Sequence, residues 1–130
     1  MEEMLLQQDW TGFYIEDHRG KGWMNMRLVF RDGTIQGEGV DYVGTWHLKG
    51  EYSLTDLTCS WTKRYLGQHE VFYSGKISEV GIMGHWSIYG QIGSTFHIWP
   101  VSMTHIQQEY LENETPVNPQ QIGDRGFSLD

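Results

Sequence analysis

A lysine placed among aromatic residues is the feature of the sequence with the clearest chemical potential. Trp61, Lys63 and Tyr65 are spaced two residues apart, and side chains at that spacing point to the same face of a β-strand. An ammonium group in an aromatic pocket would provide the counter-charge for an anionic ligand. It could instead form a structural ion pair, with Glu16 as the candidate partner, or reach solvent from a strand end. The spacing leaves these alternatives open.

The sequence contains none of the short motifs that mark common enzymes. Its six histidines include no His-x-His pair and no His-Glu-x-x-His motif, and we expect no metal and no other cofactor. A nucleophile elbow, a phosphate-binding Gly-Lys-Ser/Thr loop and a dinucleotide fingerprint are also missing. The single cysteine, Cys59, is expected to pack as a small apolar residue. Glu16 and His69 would form an acid–base pair only if the fold brought them together.

Alternation with a period of two dominates the chain up to residue 99 and predicts β-strands. Met24, Met26 and Leu28, for example, share one face of such a strand. Turn signals separate the alternating runs, and Asp32-Gly33 is typical of a tight hairpin. The pattern predicts eight strands, over residues 10–16, 23–30, 33–39, 43–53, 57–66, 69–78, 81–89 and 94–99.

The short links between these strands leave no room for crossover helices, so consecutive strands must pair as antiparallel hairpins. Eight strands in up-and-down order can close on themselves and remove exposed sheet edges. Glycines inside the runs favour the strong bending that closure requires; they are Gly12, Gly37, Gly39, Gly44, Gly50, Gly75 and Gly84. The sequence therefore predicts an all-β, eight-stranded antiparallel up-and-down β-barrel over residues 1–102.

The composition changes after Pro100, and residues 103–130 form a polar, acidic tail. Residues 104–112 could form a short helix. The remainder of the tail is either disordered or docks on a partner subunit. The barrel domain is thus expected to end near residue 102.

The order and spacing of the strands resemble the avidin/streptavidin group of small barrels, within the broader calycin-like class. Residues 58–63 (TCSWTK) resemble that family's fifth strand, in which a lumen-facing Trp precedes a Lys. Residues 82–86 (IMGHW) resemble its seventh strand, which carries a second pocket Trp. The resemblance implies a streptavidin-like barrel with Trp61 and Trp86 as aromatic walls of the pocket. It also implies assembly into dimers or tetramers.

The polar residues that hold biotin in that family do not carry over to this chain. The family's first-strand Asn and the Ser that follows it fall on Glu16 and Gly20, and its second-strand Tyr and Ser fall on Gly39 and Asp41. A carboxylate would repel the neutral ureido oxygen, which needs a hydrogen-bond donor. The resemblance therefore covers the fold and the aromatic walls, and we do not expect biotin binding.

A period of two places aromatic residues and a few polar ones in the lumen. Apolar walls with a few convergent polar groups are typical of a small-molecule pocket. We therefore expect non-catalytic binding of a small, partly aromatic or anionic ligand, and we assign no catalytic residue. The candidate ligand-binding residues are Tyr14, Glu16, Trp61, Lys63, Tyr65, His69, Tyr73 and Trp86.

Two other functions remain open at this point. A calycin-like isomerase or cyclase would require Glu16, Lys63 or His69 to converge on one point in the lumen. A structural or protein-interaction module would have a filled lumen and would act through its outer surface. A dry, filled lumen would favour the module, whereas a wet mouth lined by Lys63 and tyrosines would favour ligand binding.

The charge balance and the outward aromatic residues bear on location and partners. Nine Lys+Arg against seventeen Asp+Glu give a net charge of -8, which disfavours binding to nucleic acid. The chain contains no apolar run long enough for a membrane helix and no signal-peptide pattern, so we expect a cytoplasmic protein without a membrane partner. Large aromatic residues on the outer face predict a homodimer or larger oligomer; they are Trp23, Phe72, Tyr89 and Trp99.

Overall fold

The computed structural model describes residues 2–16, 20–67 and 69–103, most of which lie in β-strands. A short helix, α1 (Glu2–Leu5), precedes the strands, and a 3₁₀ turn (Val101–Met103) follows them. The strands are β1 (Asp9–Glu16), β2 (Gly20–Arg31), β3 (Thr34–Asp41), β4 (Gly44–Ser53), β5 (Thr58–Tyr65), β6 (Glu70–Ser78), β7 (Gly81–Ile88) and β8 (Gln91–Pro100). The eight predicted strands are confirmed, whereas the predicted tail helix over 104–112 lies outside the described residues.

Each strand pairs antiparallel with its neighbours in sequence, and β1 also pairs with β8, which closes the sheet into a barrel. Tight turns make this order possible. In the β2–β3 turn, Asp32 and Gly33 have φ values of 52° and 82°, and positive φ at both positions is typical of a type I′ hairpin. The predicted up-and-down antiparallel barrel is therefore confirmed.

The barrel has two chemically different ends. At one end, Met4 and Leu5 of α1 are buried against the core, and the indole of Trp10 donates a hydrogen bond to the Gln7 carbonyl at 2.9 Å. The opposite end carries the β1–β2, β3–β4, β5–β6 and β7–β8 connections, and we call it the loop end. Two apolar side chains of a short helix therefore cover one end, and polar residues gather at the other.

Two glycines make room for bulky side chains in the lumen. Gly39 of β3 pairs with Trp46 of β4, and a Cβ at Gly39 would lie 2.5 Å from the indole. Gly22 of β2 pairs with Tyr14 of β1, and a Cβ there would overlap the phenol ring. Glycine in a strand often marks such a close approach. Both aromatic side chains can therefore lie flat over the neighbouring strand.

The outer wall differs from the sequence prediction at Trp99. Its side chain was expected to be exposed, but it is only 3% exposed. The reason is an aromatic cluster on the outer wall, in which Trp99 packs against His97 at 4.9 Å and Phe13 at 6.1 Å between ring centroids. The other outward aromatic residues are exposed as predicted: Trp23, Phe72 and Tyr89.

Candidate functional site

A buried ion pair lies in the lumen near the loop end. The Nζ atom of Lys63 is 3.1 Å from Oδ2 of Asp41, and the two side chains are 1% and 0% exposed. The Tyr65 hydroxyl donates a hydrogen bond to the same oxygen at 2.5 Å. The other carboxylate oxygen accepts a hydrogen bond from the Val43 backbone N–H at 2.9 Å. Two side chains and a turn therefore hold the Asp41 carboxylate.

Strand register explains how these groups meet. Lys63 and Tyr65 occupy lumen-facing positions at the end of β5, where Tyr65 pairs with Trp46 of β4. Asp41 is the last residue of β3, and the chain returns as β4 after only two intervening residues. Its bond to Val43 is the side-chain-to-backbone bond with which aspartate favours such turns. Asp41 thus shapes the turn and also carries a carboxylate into the lumen.

Four aromatic rings surround the ammonium group of Lys63. Its Nζ atom is 4.8 Å from the ring centroid of Trp46, 4.9 Å from Tyr65, 5.0 Å from Tyr14 and 5.2 Å from Tyr73. All four distances lie within the range of about 6 Å over which a ring attracts a cation. We call Asp41, Lys63 and these four aromatic residues the lysine cage.

Burial shifts the pKa values of the cage residues. Desolvation lowers the pKa of Lys63 to about 8, although the carboxylates of Asp41 and Glu16 oppose this shift. Desolvation raises the pKa of Tyr65, and the hydrogen bond to Asp41 raises it further. The pKa values of Tyr14 and Tyr73 are raised as well, mainly by burial. The tyrosine hydroxyls therefore stay protonated and can act as hydrogen-bond donors.

Two polar groups of the cage, the Tyr14 hydroxyl and the Trp46 Nε1 atom, have no hydrogen-bond partner within residues 2–16, 20–67 and 69–103. The nearby Tyr65 hydroxyl lowers the pKa of Tyr14, but the two hydroxyls do not meet hydrogen-bond geometry. Buried polar groups are rarely left unpaired, because each one costs roughly 1–3 kcal/mol. Both groups can donate a hydrogen bond, so the cage retains the capacity to bind an acceptor.

Residues around the cage form the mouth of the barrel at the loop end. Glu16 accepts a hydrogen bond at 2.5 Å from the hydroxyl of exposed Tyr42 in the β3–β4 turn. The half-buried His69 is tilted against Tyr65, with 5.6 Å between ring centroids. The half-buried Trp86 donates a hydrogen bond from Nε1 to a β1 carbonyl at 3.0 Å. We call Glu16, Tyr42, His69 and Trp86 the mouth residues.

The predicted ligand-binding residues occupy three levels of the lumen. Trp61 lies deeper than the cage and stacks on Tyr73, with 5.3 Å between ring centroids and 14° between ring planes. Glu16, His69 and Trp86 belong to the mouth. The four that meet in the cage are Tyr14, Lys63, Tyr65 and Tyr73.

The structure corrects the ion-pair partner considered for Lys63. Glu16 binds Tyr42 instead, and Asp41 forms the pair. Glu16 and His69 also contact different residues, since His69 packs on Tyr65. The sequence analysis therefore placed the lysine in the lumen but did not identify the carboxylate beside it.

The sequence comparison aligned Asp41 with a pocket position, but its pairing with Lys63 was missed because β4 lies between the two residues in the sheet and no spacing along the chain connects them. The predicted third strand also ended at residue 39, two residues short of the observed end of β3. A signal was present, because Ile35, Gly37 and Gly39 alternate on the face that Asp41 continues. Extending that period by one step carries a carboxylate into the lumen.

Side chains fill the lumen at the level of the cage. Lys63, Tyr14, Trp46, Tyr65 and Tyr73 are all buried, so the ammonium group is shielded from bulk solvent. By the criterion set from the sequence, a filled lumen favours a module that acts through its outer surface. The two unpaired donors, by contrast, favour a ligand-binding barrel. An open groove of about 610 Å³ lies elsewhere, on the outer wall over β4 to β7.

Fold and site together define an eight-stranded up-and-down β-barrel that encloses a lysine–aspartate pair near its loop end. Comparisons with protein families, with curated proteins and with solved structures found no match. Within residues 2–16, 20–67 and 69–103, no group of three or more His, Cys, Asp or Glu side chains is placed to hold a metal ion. The same part of the chain contains no helix with the length and apolar character needed to cross a membrane.

Proposed function

We propose that the protein is a non-catalytic binding barrel that takes a small, planar, largely apolar ligand at the loop end. A hydrogen-bond acceptor of this ligand would bind to the lysine cage. The observation that carries this proposal is the pair of unpaired donors, the Tyr14 hydroxyl and the Trp46 Nε1 atom. They lie beside a buried ion pair. In other proteins, such a pair can often be substituted by well-packed apolar residues without loss of stability. Clusters of perturbed polar groups in an apolar setting are typical of binding sites.

The charges around the cage favour a neutral ligand over an anionic one. Asp41 already neutralises Lys63, and Glu16 adds a second carboxylate at the mouth. Among the cage and mouth residues that the structure describes, one ammonium group against two carboxylates would repel an anion. A carbonyl oxygen, by contrast, would accept hydrogen bonds from Tyr14 and Trp46 without bringing a further charge. Of the two ligand classes expected from the sequence, the aromatic class is therefore the better supported.

Ligand entry requires the mouth residues to move, because the cage is filled. The exposed Tyr42 ring lies in a turn and is held to Glu16. The half-buried Trp86 indole lies against the Tyr14 ring, with 6.4 Å between centroids and 85° between ring planes. Rotation of these two side chains would open a path to the Tyr14 hydroxyl. The displaced indole could then stack on a planar ligand.

An avidin-like relationship belongs to the same proposal. The strand order supports it, as do a lumen-facing Trp61 and Lys63 on β5 and a half-buried Trp86 on β7. The carboxylates of Asp41 and Glu16 distinguish this lumen from a biotin site, as the sequence comparison already indicated. The proposed ligand is therefore not biotin.

A calorimetric screen with matched tyrosine variants tests the proposal. The wild-type protein is titrated with planar probes of three charge classes, namely quinolin-2-one, quinoline-2-carboxylate and 2-(aminomethyl)quinoline. We expect binding of the neutral carbonyl probe. Tyr14→Phe should weaken it about tenfold, the equivalent of roughly 1.4 kcal/mol for one hydrogen bond. The control is Tyr52→Phe, which makes the same chemical change on the far half of β4 and should leave the affinity unchanged.

A filled barrel that acts through its outer surface is the second candidate, and the burial of every cage residue favours it. This candidate predicts that none of the three probes binds to the wild-type protein. An equal loss of affinity in Tyr14→Phe and Tyr52→Phe would also contradict binding at the cage. Because Tyr14→Phe removes an unpaired hydroxyl, its free energy of unfolding should be unchanged or higher under either candidate.

A further inference from the structure

The ammonium group of Lys63 has fewer hydrogen-bond acceptors than it can use. It carries three donors, but among the described residues it donates only to the Asp41 carboxylate at 3.1 Å and to the Met24 Sδ atom at 3.4 Å. A thioether sulfur is a weak acceptor. Arginine suits a buried ion pair better, because its planar fork can bind both oxygens of a carboxylate. Lysine, by contrast, places in the lumen a primary amine that can react with a carbonyl compound.

The two unpaired donors of the cage surround this amine. The rings of Tyr14 and Trp46, which carry them, have centroids 5.0 Å and 4.8 Å from the Lys63 Nζ atom. A ligand carbonyl that accepts a hydrogen bond from either donor would therefore approach the amine. Such hydrogen bonds also stabilise the negative charge that develops on the oxygen when an amine attacks the carbonyl carbon. The cage thus combines a nucleophile with donors for the group that it would attack.

We propose that Lys63 is a covalent attachment site, at which a planar aldehyde ligand forms a reversible imine with the Nζ atom. This inference rests on the proposed function, because it needs a ligand carbonyl in the lysine cage. It narrows the ligand class, since aldehydes form imines with primary amines and lactams do not. The apolar part of the ligand would remain toward the mouth.

The atoms and charges of this step balance within the cage. The Asp41 carboxylate, 3.1 Å from Nζ, accepts one ammonium proton and so frees the lone pair that attacks the carbonyl carbon. A second proton moves from nitrogen to the carbonyl oxygen. Asp41 then returns its proton to that oxygen, the carbon–oxygen bond breaks, and water leaves. The third proton stays on the nitrogen of the iminium product, and no oxidant or reductant is needed.

The iminium product suits the cage as well as the ammonium group does. Its nitrogen is still cationic, so the pair with Asp41 and the attraction of the four rings are retained. Lys63 is also the buried member of the four lysines, since Lys21 is half-buried and Lys49 and Lys76 are exposed. An aldehyde that enters the lumen therefore meets this amine alone.

Burial makes the amine of Lys63 more reactive than that of an exposed lysine. Desolvation lowers its pKa to about 8, so about half of the amine is unprotonated at that pH. An exposed lysine, with a pKa of about 10.4, is less than about 1% unprotonated under the same conditions. Near pH 8 an aldehyde should therefore react with Lys63 in preference to Lys76.

The test uses quinoline-2-carbaldehyde, the reactive counterpart of quinolin-2-one, on the native full chain near pH 8. Native mass spectrometry separates the two binding modes. An imine adds the mass of the aldehyde less one water, whereas a non-covalent complex adds the whole aldehyde. Borohydride then reduces the imine to a stable amine, and peptide mapping locates it. We expect one adduct per chain, formed on Lys63 at least about tenfold faster than on Lys76.

Matched variants connect the adduct to the cage. Tyr14→Phe should slow the labelling of Lys63 about tenfold through loss of one hydrogen bond, and Tyr52→Phe should leave it unchanged. Lys76→Met removes an exposed lysine and should also have no effect. Lys63→Met is combined with Asp41→Asn so that no buried charge is left unpaired, and this double variant should form no adduct while its tryptophan fluorescence remains that of a folded chain.

The outcomes separate the imine from the proposed function. A chain that gains only the whole mass of the aldehyde overturns the imine, and so does labelling spread evenly over the four lysines. If quinolin-2-one still binds in calorimetry and Tyr14→Phe weakens it, the proposed function stands without the imine. If neither probe binds, both proposals are overturned. An excess of quinolin-2-one that slows the labelling of Lys63, but not of Lys76, supports both.

Discussion

Lys63 and Asp41 depend on each other because each is a charge without access to water. Desolvation of an isolated charge costs several kcal/mol, and attraction within the pair offsets this cost only with good geometry and additional hydrogen bonds. Here the Tyr65 hydroxyl and the Val43 N–H supply those bonds, and four rings face the cation. The inward position of Lys63 could be predicted because a strand has a fixed period. The identity of its partner depends on register across three strands, which local sequence does not encode.

This dependence predicts a non-additive pair of substitutions. Lys63→Met should lower the free energy of unfolding by about 3–5 kcal/mol, because it leaves the Asp41 carboxylate buried without a counter-charge. Adding Asp41→Asn removes that charge, keeps an oxygen that accepts from the Val43 N–H, and supplies an amide NH2 that can donate to the Tyr65 hydroxyl oxygen, so the double variant should recover most of the loss. Urea unfolding followed by tryptophan fluorescence measures both. A double variant as unstable as Lys63→Met alone would contradict an ion pair.

At the scale of elements, the hairpins could be predicted because their signals are local. Alternation and turns such as Asp32-Gly33 lie within a few residues of each other, and the observed strands follow them closely. The four-residue helix α1 was not predicted, because it is too short to show a helical period. The buried state of Trp99 was not predicted either, since it depends on Phe13 from the opposite end of the chain. Contacts between strands that are distant in sequence therefore could not be predicted from the sequence alone.

Close packing between β3 and β4 predicts a strong effect at Gly39. A Cβ there would lie 2.5 Å from the Trp46 indole and 2.6 Å from the Asn25 carbonyl oxygen. Gly39→Ala should therefore lower the free energy of unfolding by about 3 kcal/mol, at the upper end of over-packing effects. Gln36→Ala, which introduces alanine on the outer face of the same strand, should change it by less than about 0.5 kcal/mol. Equal effects of the two substitutions in urea unfolding would show that the indole does not press on β3.

For the whole molecule, buried titratable groups make stability depend on pH. Desolvation lowers the pKa of Lys63 to about 8 and raises the pKa of the Cys59 thiol to about 12. The pKa of His97 is lowered, again mainly by burial. A folded state that binds fewer protons than the unfolded chain gains stability as pH rises, and one that binds more protons loses stability. As pH rises, these groups therefore raise the free energy of unfolding in some pH ranges and lower it in others.

The resulting profile should have its maximum between about pH 9 and 10. Stability falls below about pH 6.5, because unfolded His97 takes up a proton that the folded side chain resists. Above about pH 8 the folded state loses the Lys63 proton while the unfolded chain retains it, so stability rises. Above about pH 9 the unfolded Cys59 thiol ionises while the folded thiol does not, which opposes this rise. From about pH 10 the unfolded forms of Tyr14, Tyr65 and Tyr73 ionise as well, and stability falls steeply.

Cys59→Ala separates these contributions, because it removes the thiol and leaves the lysine cage unchanged. The rise that begins near pH 8 should then continue to about pH 10, where tyrosine ionisation ends it. Urea unfolding at intervals of half a pH unit would measure both profiles, and each profile is expressed as the difference from its own free energy of unfolding at pH 7. If these difference profiles of the wild-type protein and the variant coincide above pH 9, the Cys59 thiol does not ionise differently in the folded and unfolded states. If neither profile rises between pH 8 and 9, Lys63 keeps its proton through its contacts with Asp41 and the four rings.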